Sequence, residues 1–115
     1  MPMRSLIMRR ARCLDKDEVI EKLSRLAHKA KTRDPNSKEI LLFGSITNNT
    51  YTSMSDADIL IVLFEDHTRF MDRIPKFLLL FANAPVPVDV FPYTEKEVQT
   101  VPIARKAMAE GLILA

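Results

Sequence analysis

The chain has 115 residues, of which 47% are apolar and 28% are charged. This length suits one ordinary domain, and this composition is that of a soluble globular protein rather than a disordered one. A formal charge of +2 gives no basis for nucleic-acid binding, although arginines are concentrated near the N-terminus. No apolar run approaches the roughly 20 residues of a membrane-spanning helix, and we expect no secretory signal because the first residues lack its apolar core.

The cysteine and histidine content narrows the classes of site that the chain can build. Cys13 is the only cysteine and cannot form an internal disulfide, so we expect a reducing, cytoplasmic location. The chain has two histidines. With so few nitrogen and sulfur ligands, a zinc site of the usual spacing is not expected.

The first predicted element is a helix. Residues 1–14 show no clear period and are predicted to be a tail, which leaves one domain over residues 15–115. Asp15 and Glu18 have the spacing of a capping box. Apolar residues at intervals of three and four then predict a helix over residues 16–32.

Three short apolar runs predict strands, at residues 40–43, 59–64 and 85–92. The first two are too short for helices, and the second is rich in β-branched residues. The third contains several prolines, which exclude a helix and favour a strand at or near the edge of a sheet.

Two further helices are predicted around the third strand. Apolar residues within 70–81 recur at helical spacing, but Pro75 interrupts them, so we expect the firm part of this helix to begin near Ile74. Pro102 can begin a final helix and Gly111 can end it. The order helix, strand, strand, helix, strand, helix predicts an α/β (α+β) fold with a small mixed sheet backed by helices.

Acidic residues stand out beside two of the predicted strands. Asp56 and Asp58 are two positions apart, so on a strand they would point to the same face, and Asp89 lies in the third strand. Adjacent carboxylates are costly unless a cation, a proton or solvent relieves the repulsion. If the three converge, they could hold one or two Mg²⁺ ions and support phosphoryl or nucleotidyl transfer.

Gly44 and Ser45 end the first predicted strand. The glycine would let the backbone approach a triphosphate closely, and the serine could donate to a phosphate oxygen. Simpler structural interpretations stay open. Gly44-Ser45 and Ser55-Asp56 could be ordinary turns, and Asp89 could bond a helix N-terminus or an arginine.

The pattern of Gly44-Ser45 followed by Asp56-x-Asp58 and an apolar strand resembles the signature of the DNA polymerase β-like nucleotidyltransferase superfamily. The small size is similar to that of its minimal members, which are often antitoxins of helical HEPN ribonuclease toxins. VDVFPYTEKEV at residues 88–98 resembles the segment with the third carboxylate, and ARKAMAEGLIL at residues 104–114 resembles the C-terminal helix and tail.

The resemblance implies a role for each motif. Asp56 and Asp58 would bind two Mg²⁺ ions, and Asp89 would bind the ion at the attacking hydroxyl. The implied reaction is transfer of a nucleoside monophosphate to a hydroxyl of a HEPN-type partner protein. The donor would be ATP, which supplies AMP, or another nucleoside triphosphate. Oligomerisation of the chain also stays open. The residues assigned to nucleotide binding are Gly44, Ser45, Asn49 and Ser55.

The loop between Ser45 and Ser55 departs from the family pattern. Asn49 stands where a second glycine is usual, although asparagine enters the left-handed region more readily than most residues. Basic residues are common in this loop, whereas here it is uncharged. A second hypothesis is therefore a non-catalytic antitoxin that neutralises its toxin by occlusion, and a third is transfer to a small molecule.

Overall fold

A computed structural model describes residues 15–47 and 56–115, so the predicted tail at residues 1–14 lies outside the described part. The helices are α1 (Lys16–Arg33), α2 (Phe70–Leu80), α3 (Glu95–Val98) and α4 (Pro102–Glu110). The strands are β1 (Ser37–Phe43), β2 (Ala57–Leu63), β3 (Val88–Thr94) and β4 (Leu112–Ile113), and a 3₁₀ turn spans Ser45–Thr47. Within these residues, no helix has the length and apolar character needed to cross a bilayer.

The described strands form a four-stranded sheet in the order β3-β2-β1-β4. β1 is antiparallel to both β2 and β4, whereas β2 and β3 are parallel. This arrangement confirms the predicted small mixed sheet backed by helices, and β3 lies at an edge as its prolines predict. The short elements α3 and β4 were not predicted, because four and two residues are too few to show a period.

Alternating side chains of the sheet build two apolar layers. One layer packs Ile40, Leu42, Ile59 and Ile61 against α1 and α2. The opposite layer packs Leu41, Leu60 and Val62 against α3 and α4. β2 is central and its residues from Ile59 to Leu63 are all buried. Helices therefore cover both faces, and the position of β2 is fixed from either side.

The start of α1 differs from the prediction. The helix buries Val19 and Leu23 as its spacing predicts, but the Asp15 side chain makes no capping hydrogen bond. The backbone carbonyl of Asp15 instead accepts from the amide of Val19 at 2.9 Å. The predicted capping box is therefore wrong, and the Glu18 carboxylate lies 3.6 Å from Lys22, one turn further along the helix.

The start of α2 also differs from the prediction. The helix begins at Phe70 and continues through Pro75, so the expected start near Ile74 is wrong. The missing amide hydrogen of one proline removes only one helical bond. The turn before Pro75 is held by Arg73, whose guanidinium donates to the carbonyls of Thr68 at 2.7 Å and Pro92 at 3.1 Å.

Arg73 joins α2 to β3 and α3. Its side chain is buried and pairs with the Glu97 carboxylate at 2.7 Å. The same carboxylate accepts from the Thr94 amide at 2.9 Å, while the Thr94 hydroxyl accepts from the Glu97 amide at 3.2 Å. The hydrogen bond from Arg73 lowers the pKa of Glu97. One guanidinium thus fixes two helices against the edge strand.

The junction of α4 and β4 places the last helix beside β1. Pro102 begins α4 and Gly111 follows its end, as predicted. A Cβ on Gly111 would lie 2.4 Å from the Ala107 carbonyl oxygen and 3.1 Å from that of Leu42. The Ala107 carbonyl therefore leaves no room for a side chain at Gly111, and the backbone there also lies close to the end of β1. This contact brings the end of α4 to the end of β1.

Removal of the Arg73 guanidinium should destabilise the fold. We expect Arg73→Met to lower the free energy of unfolding by about 3 kcal/mol, because it leaves buried carbonyls and a carboxylate without their donor. Arg69→Met removes an exposed arginine paired with Asp72 at 3.2 Å. This control should cost at most about 0.5 kcal/mol. Urea denaturation measures both, and equal losses would contradict the role of Arg73.

Candidate active site

The parallel pairing of β2 and β3 sets Asp58 directly opposite Asp89. Antiparallel pairing of β1 with β2 places Phe43 opposite Asp58 on the other side. Residues two apart share a face, so Asp58 lies on the face of Leu60, and Asp89 on the face of Phe91. This is the face that α3 and α4 cover. The end of β1 and the starts of β2 and β3 therefore meet at one end of the sheet.

Asp56 lies immediately before β2 rather than on it, because the strand begins at Ala57. Its side chain is exposed, whereas that of Asp58 is half-buried. The charge of Asp56 nevertheless raises the pKa of Asp58, which places the two carboxylates within electrostatic reach of each other. The structure thus brings both Asp56 and Asp89 towards Asp58.

The arrangement of the three carboxylates destabilises the ionised form of Asp58. Its pKa is raised above 3.8, first by burial and then by the negative charges of Asp89 and Asp56. Each of these causes destabilises the ionised carboxylate relative to the protonated one. A cation at this place would act in the opposite direction and favour the ionised form.

The three carboxylates match a divalent cation by donor type. Carboxylate oxygens are the ligands that Mg²⁺ prefers. None of the ion pairs within the described residues involves Asp56, Asp58 or Asp89. In residues 15–47 and 56–115, however, no three Asp, Glu, His or Cys side chains are grouped closely enough to hold one ion. The ligand types fit, and the side chains are adjacent without forming a closed three-ligand set.

Gly44 packs against the Asp58 carboxylate. Its φ angle is +87°, in the region that side chains rarely adopt. A Cβ at this position would lie 2.4 Å from Oδ2 of Asp58. Both the backbone conformation and the space beside Asp58 therefore require a glycine here.

The 3₁₀ turn after Gly44 begins at Ser45. The amide of Thr47 donates to the Gly44 carbonyl at 3.1 Å, and the Thr47 hydroxyl donates to the same oxygen at 2.8 Å. This turn holds Gly44 and the backbone of Ser45 at the end of β1. Asn49 and Ser55, the other two residues assigned to nucleotide binding, lie outside the described residues.

A cavity of about 400 Å³ opens beside Gly44. It is lined by Phe43, Gly44, Thr47, Ile103, Lys106 and Glu110. No motif in the sequence distinguishes the three α4 residues of this lining, although their spacing of three and four places them on one helix face. A larger cavity of about 550 Å³, lined mainly by residues of α1 and α2, contains none of the predicted site residues. Of these two cavities, the smaller one is lined by a predicted site residue, Gly44, which lies against the Asp58 carboxylate.

Comparison with known proteins identifies both a family and a fold. The family model described as "Nucleotidyltransferase domain" matches residues 23–114. Among solved structures, the chain is similar to a provisionally assigned nucleotidyltransferase from Sulfolobus solfataricus, with 20% identity and a TM-score of 0.60. The similarity covers 85% of this chain and 80% of that one, and at this identity it shows the fold alone. No curated protein gives a significant match.

The contact between Gly44 and Asp58 can be measured by a double-mutant cycle. We expect Gly44→Ala to lower the free energy of unfolding by about 3 kcal/mol, through backbone strain plus displacement of the Asp58 carboxylate. In an Asp58→Ala background the displacement term disappears, and the same change should cost only about 1–2 kcal/mol. Urea denaturation of the four proteins gives the coupling. An identical cost in both backgrounds would show that the two residues do not meet.

The Asp58 pKa should depend on its neighbours in metal-free buffer. Carboxyl ¹³C NMR should give a value above 3.8, and Asp89→Asn should lower it by removing a nearby negative charge. Asp72→Asn, on the exposed surface of α2, is the matched control and should leave it unchanged. An Asp58 pKa that is unchanged in the Asp89→Asn variant would contradict the proximity of these side chains.

The same shift predicts the pH dependence of stability. A pKa raised in the folded state means that the folded chain binds this proton more tightly than the unfolded chain does. The resulting stabilisation is present below the unfolded pKa, near 3.8, and is lost as the pH rises through the folded pKa. Asp58→Asn should therefore become more stable relative to the original protein across this interval. Urea denaturation at a series of pH values measures the two stabilities. If the stability of Asp58→Asn relative to the original protein stays constant or falls as the pH rises, the shift is contradicted.

Proposed function

Because this chain belongs to the family of nucleotidyltransferase domains, we propose that it transfers a nucleoside monophosphate from a nucleoside triphosphate to a hydroxyl acceptor. The observation that supports this most directly is the pairing of Asp58 with Asp89 beside Gly44. In the reaction, the acceptor oxygen bonds to the α-phosphorus, and the bond from that phosphorus to the leaving pyrophosphate breaks. The hydroxyl proton passes to a carboxylate or to solvent.

In this proposal Asp56, Asp58 and Asp89 hold divalent cations, with two Mg²⁺ ions as the expected complement. Bound ions would make the hydroxyl more nucleophilic and neutralise charge on the leaving pyrophosphate. The protein contributes position: β2 and β3 fix two of the carboxylates at the end of a buried sheet. That rigidity suits a reaction that depends on alignment and charge neutralisation.

Gly44 and the turn after it are proposed to receive the phosphates of the nucleotide. Gly44 lines the cavity and lies next to the Asp58 carboxylate, and with no side chain it would let a phosphate approach its backbone closely. Ser45, Asn49 and Ser55 are proposed as further contacts, on the resemblance to the family pattern. The phosphates would then lie between the end of β1 and the starts of β2 and β3.

The donor and acceptor are proposed from the resemblance to minimal nucleotidyltransferases. ATP is the proposed donor, which makes AMP the transferred group. A hydroxyl of a HEPN-type toxin is the proposed acceptor, so that the modification would neutralise the toxin and the chain would act as its antitoxin.

A second candidate function is neutralisation of the toxin by occlusion, without catalysis. Two observations favour it. The sequence between Ser45 and Ser55 contains no basic residue, and the described side chains do not form a closed three-ligand metal set. A binding module would require neither basic residues in this loop nor a closed set of metal ligands.

Radiolabelled ATP tests the catalytic proposal. With Mg²⁺ and a purified HEPN-type toxin, label at the α-phosphate should become attached to protein, and label at the γ-phosphate should not. Asp58→Asn and Asp89→Asn should each lower the rate by at least about 100-fold. Asp72→Asn, with an exposed aspartate on α2, should retain the rate. No transfer, or transfer that survives both site variants, would contradict the proposal.

The two candidate functions differ in their dependence on ATP. If transfer is the mechanism, neutralisation of the toxin's ribonuclease activity requires ATP and is lost in the Asp58→Asn variant. If occlusion is the mechanism, neutralisation persists in both cases. A ribonuclease assay with and without ATP separates them, provided that Asp58→Asn still binds the toxin in a pull-down.

A further inference from the structure

A triphosphate beside Asp58 would bring negative charge to a place that is already negative. Asp58 lies directly opposite Asp89 and two residues after Asp56, and like charges repel strongly where solvent is partly excluded. The loop over residues 46–55 contains no lysine, arginine or histidine. A side chain that adds positive charge beside the phosphates must therefore come from another part of the chain.

Lys106 of α4 occupies a suitable place. It lines the cavity beside Gly44 together with Thr47, which belongs to the 3₁₀ turn. Among the ion pairs of residues 15–47 and 56–115, none uses Lys106. The other charged residue of the lining is Glu110, which also forms no ion pair within the described residues. Lys106 is thus a cation at the wall of the cavity without an anionic partner in the described structure.

The helix that carries Lys106 is firmly placed. Ala104 and Ala107 are buried against the sheet, and Gly111 lets the end of α4 approach the Leu42 carbonyl. The backbone of α4 is therefore fixed relative to β1 and Gly44. Only the flexible side chain of Lys106 needs to adjust to a ligand.

The cavity also has an apolar wall. It is formed by Phe43 and Ile103, and the Phe43 ring is held against Phe91 at a centroid distance of 5.4 Å. A cavity lined by a lysine, by Gly44 and by an apolar wall matches a ligand with both a charged and a flat apolar part. A nucleoside triphosphate has this chemistry.

We propose that the cavity beside Gly44 receives the nucleoside triphosphate and that Lys106 binds its polyphosphate, supplying the positive charge that the loop lacks. This inference rests on the proposed function in taking a nucleoside triphosphate as the ligand. Lysine binds phosphate as a mobile point charge, so a single ammonium group can contact the β- and γ-phosphates.

Calorimetric titration with Mg²⁺ present tests the inference by binding rather than by turnover. Lys106→Gln should weaken binding of ATP and of inorganic tripolyphosphate by about tenfold. AMP lacks the outer phosphates, so its affinity should change by less than about threefold. Arg105→Gln, one residue away on α4 and outside the cavity lining, should change ATP binding by less than about twofold. Lys106→Arg should restore most of the affinity because it keeps the charge.

Salt dependence gives a second readout. Raising the KCl concentration should weaken ATP binding to the original protein more than binding to Lys106→Gln, because the variant has lost one charged contact. Thermal unfolding should be unchanged in this variant, since Lys106 is exposed and forms no ion pair in the described structure.

The outcomes separate this inference from the proposed function. Equal ATP affinity in Lys106→Gln and Arg105→Gln overturns the inference, even if the protein transfers nucleotides. ATP affinity that depends on Lys106 in a protein that transfers nothing supports the inference and overturns the catalytic proposal. If the original protein binds neither ATP nor tripolyphosphate, the inference is overturned.

Discussion

The site depends on the parallel register between β2 and β3, which sets Asp58 opposite Asp89. Repulsion between these two carboxylates disfavours the pairing of the two strands in this register. Apolar packing opposes that tendency, because the rest of β2 is buried between helices on both faces. The core thus holds like charges together at the end of the sheet. Burial first, and then the charges of Asp89 and Asp56, raise the pKa of Asp58, which makes that constraint measurable.

Much of the fold follows from local sequence patterns. The mixed sheet agrees with the predicted order of helices and strands, and the edge position of β3 agrees with its prolines. The limits of α4 agree with the positions of Pro102 and Gly111. One error arises where distant contacts contribute, since Arg73 in the turn before Pro75 bonds Glu97, 24 residues further along the chain. The other error is local and lies at the start of α1, where the Asp15 side chain makes no capping hydrogen bond.

In the candidate site, too, some features can be predicted from local sequence and others depend on tertiary contacts. The spacing of Asp56 and Asp58 is visible in the sequence, but their relation to Asp89 depends on strand register. The approach of Gly44 to Asp58 also requires the three-dimensional structure, because it joins the end of one strand to the start of another. Lys106 could not be singled out from the sequence, since the close contact at Gly111 determines where α4 lies. Local motifs therefore indicate the chemistry, and tertiary contacts assemble it.

The central claim is that the carboxylates at the starts of β2 and β3 form a divalent-cation site. Mn²⁺, which shares the oxygen ligands of Mg²⁺, can be followed by electron paramagnetic resonance in the presence of ATP. The account predicts that the protein binds Mn²⁺ and that Asp58→Asn and Asp89→Asn each weaken the binding by at least about tenfold, while Asp72→Asn does not. Mn²⁺ binding that is the same in all four proteins would contradict it.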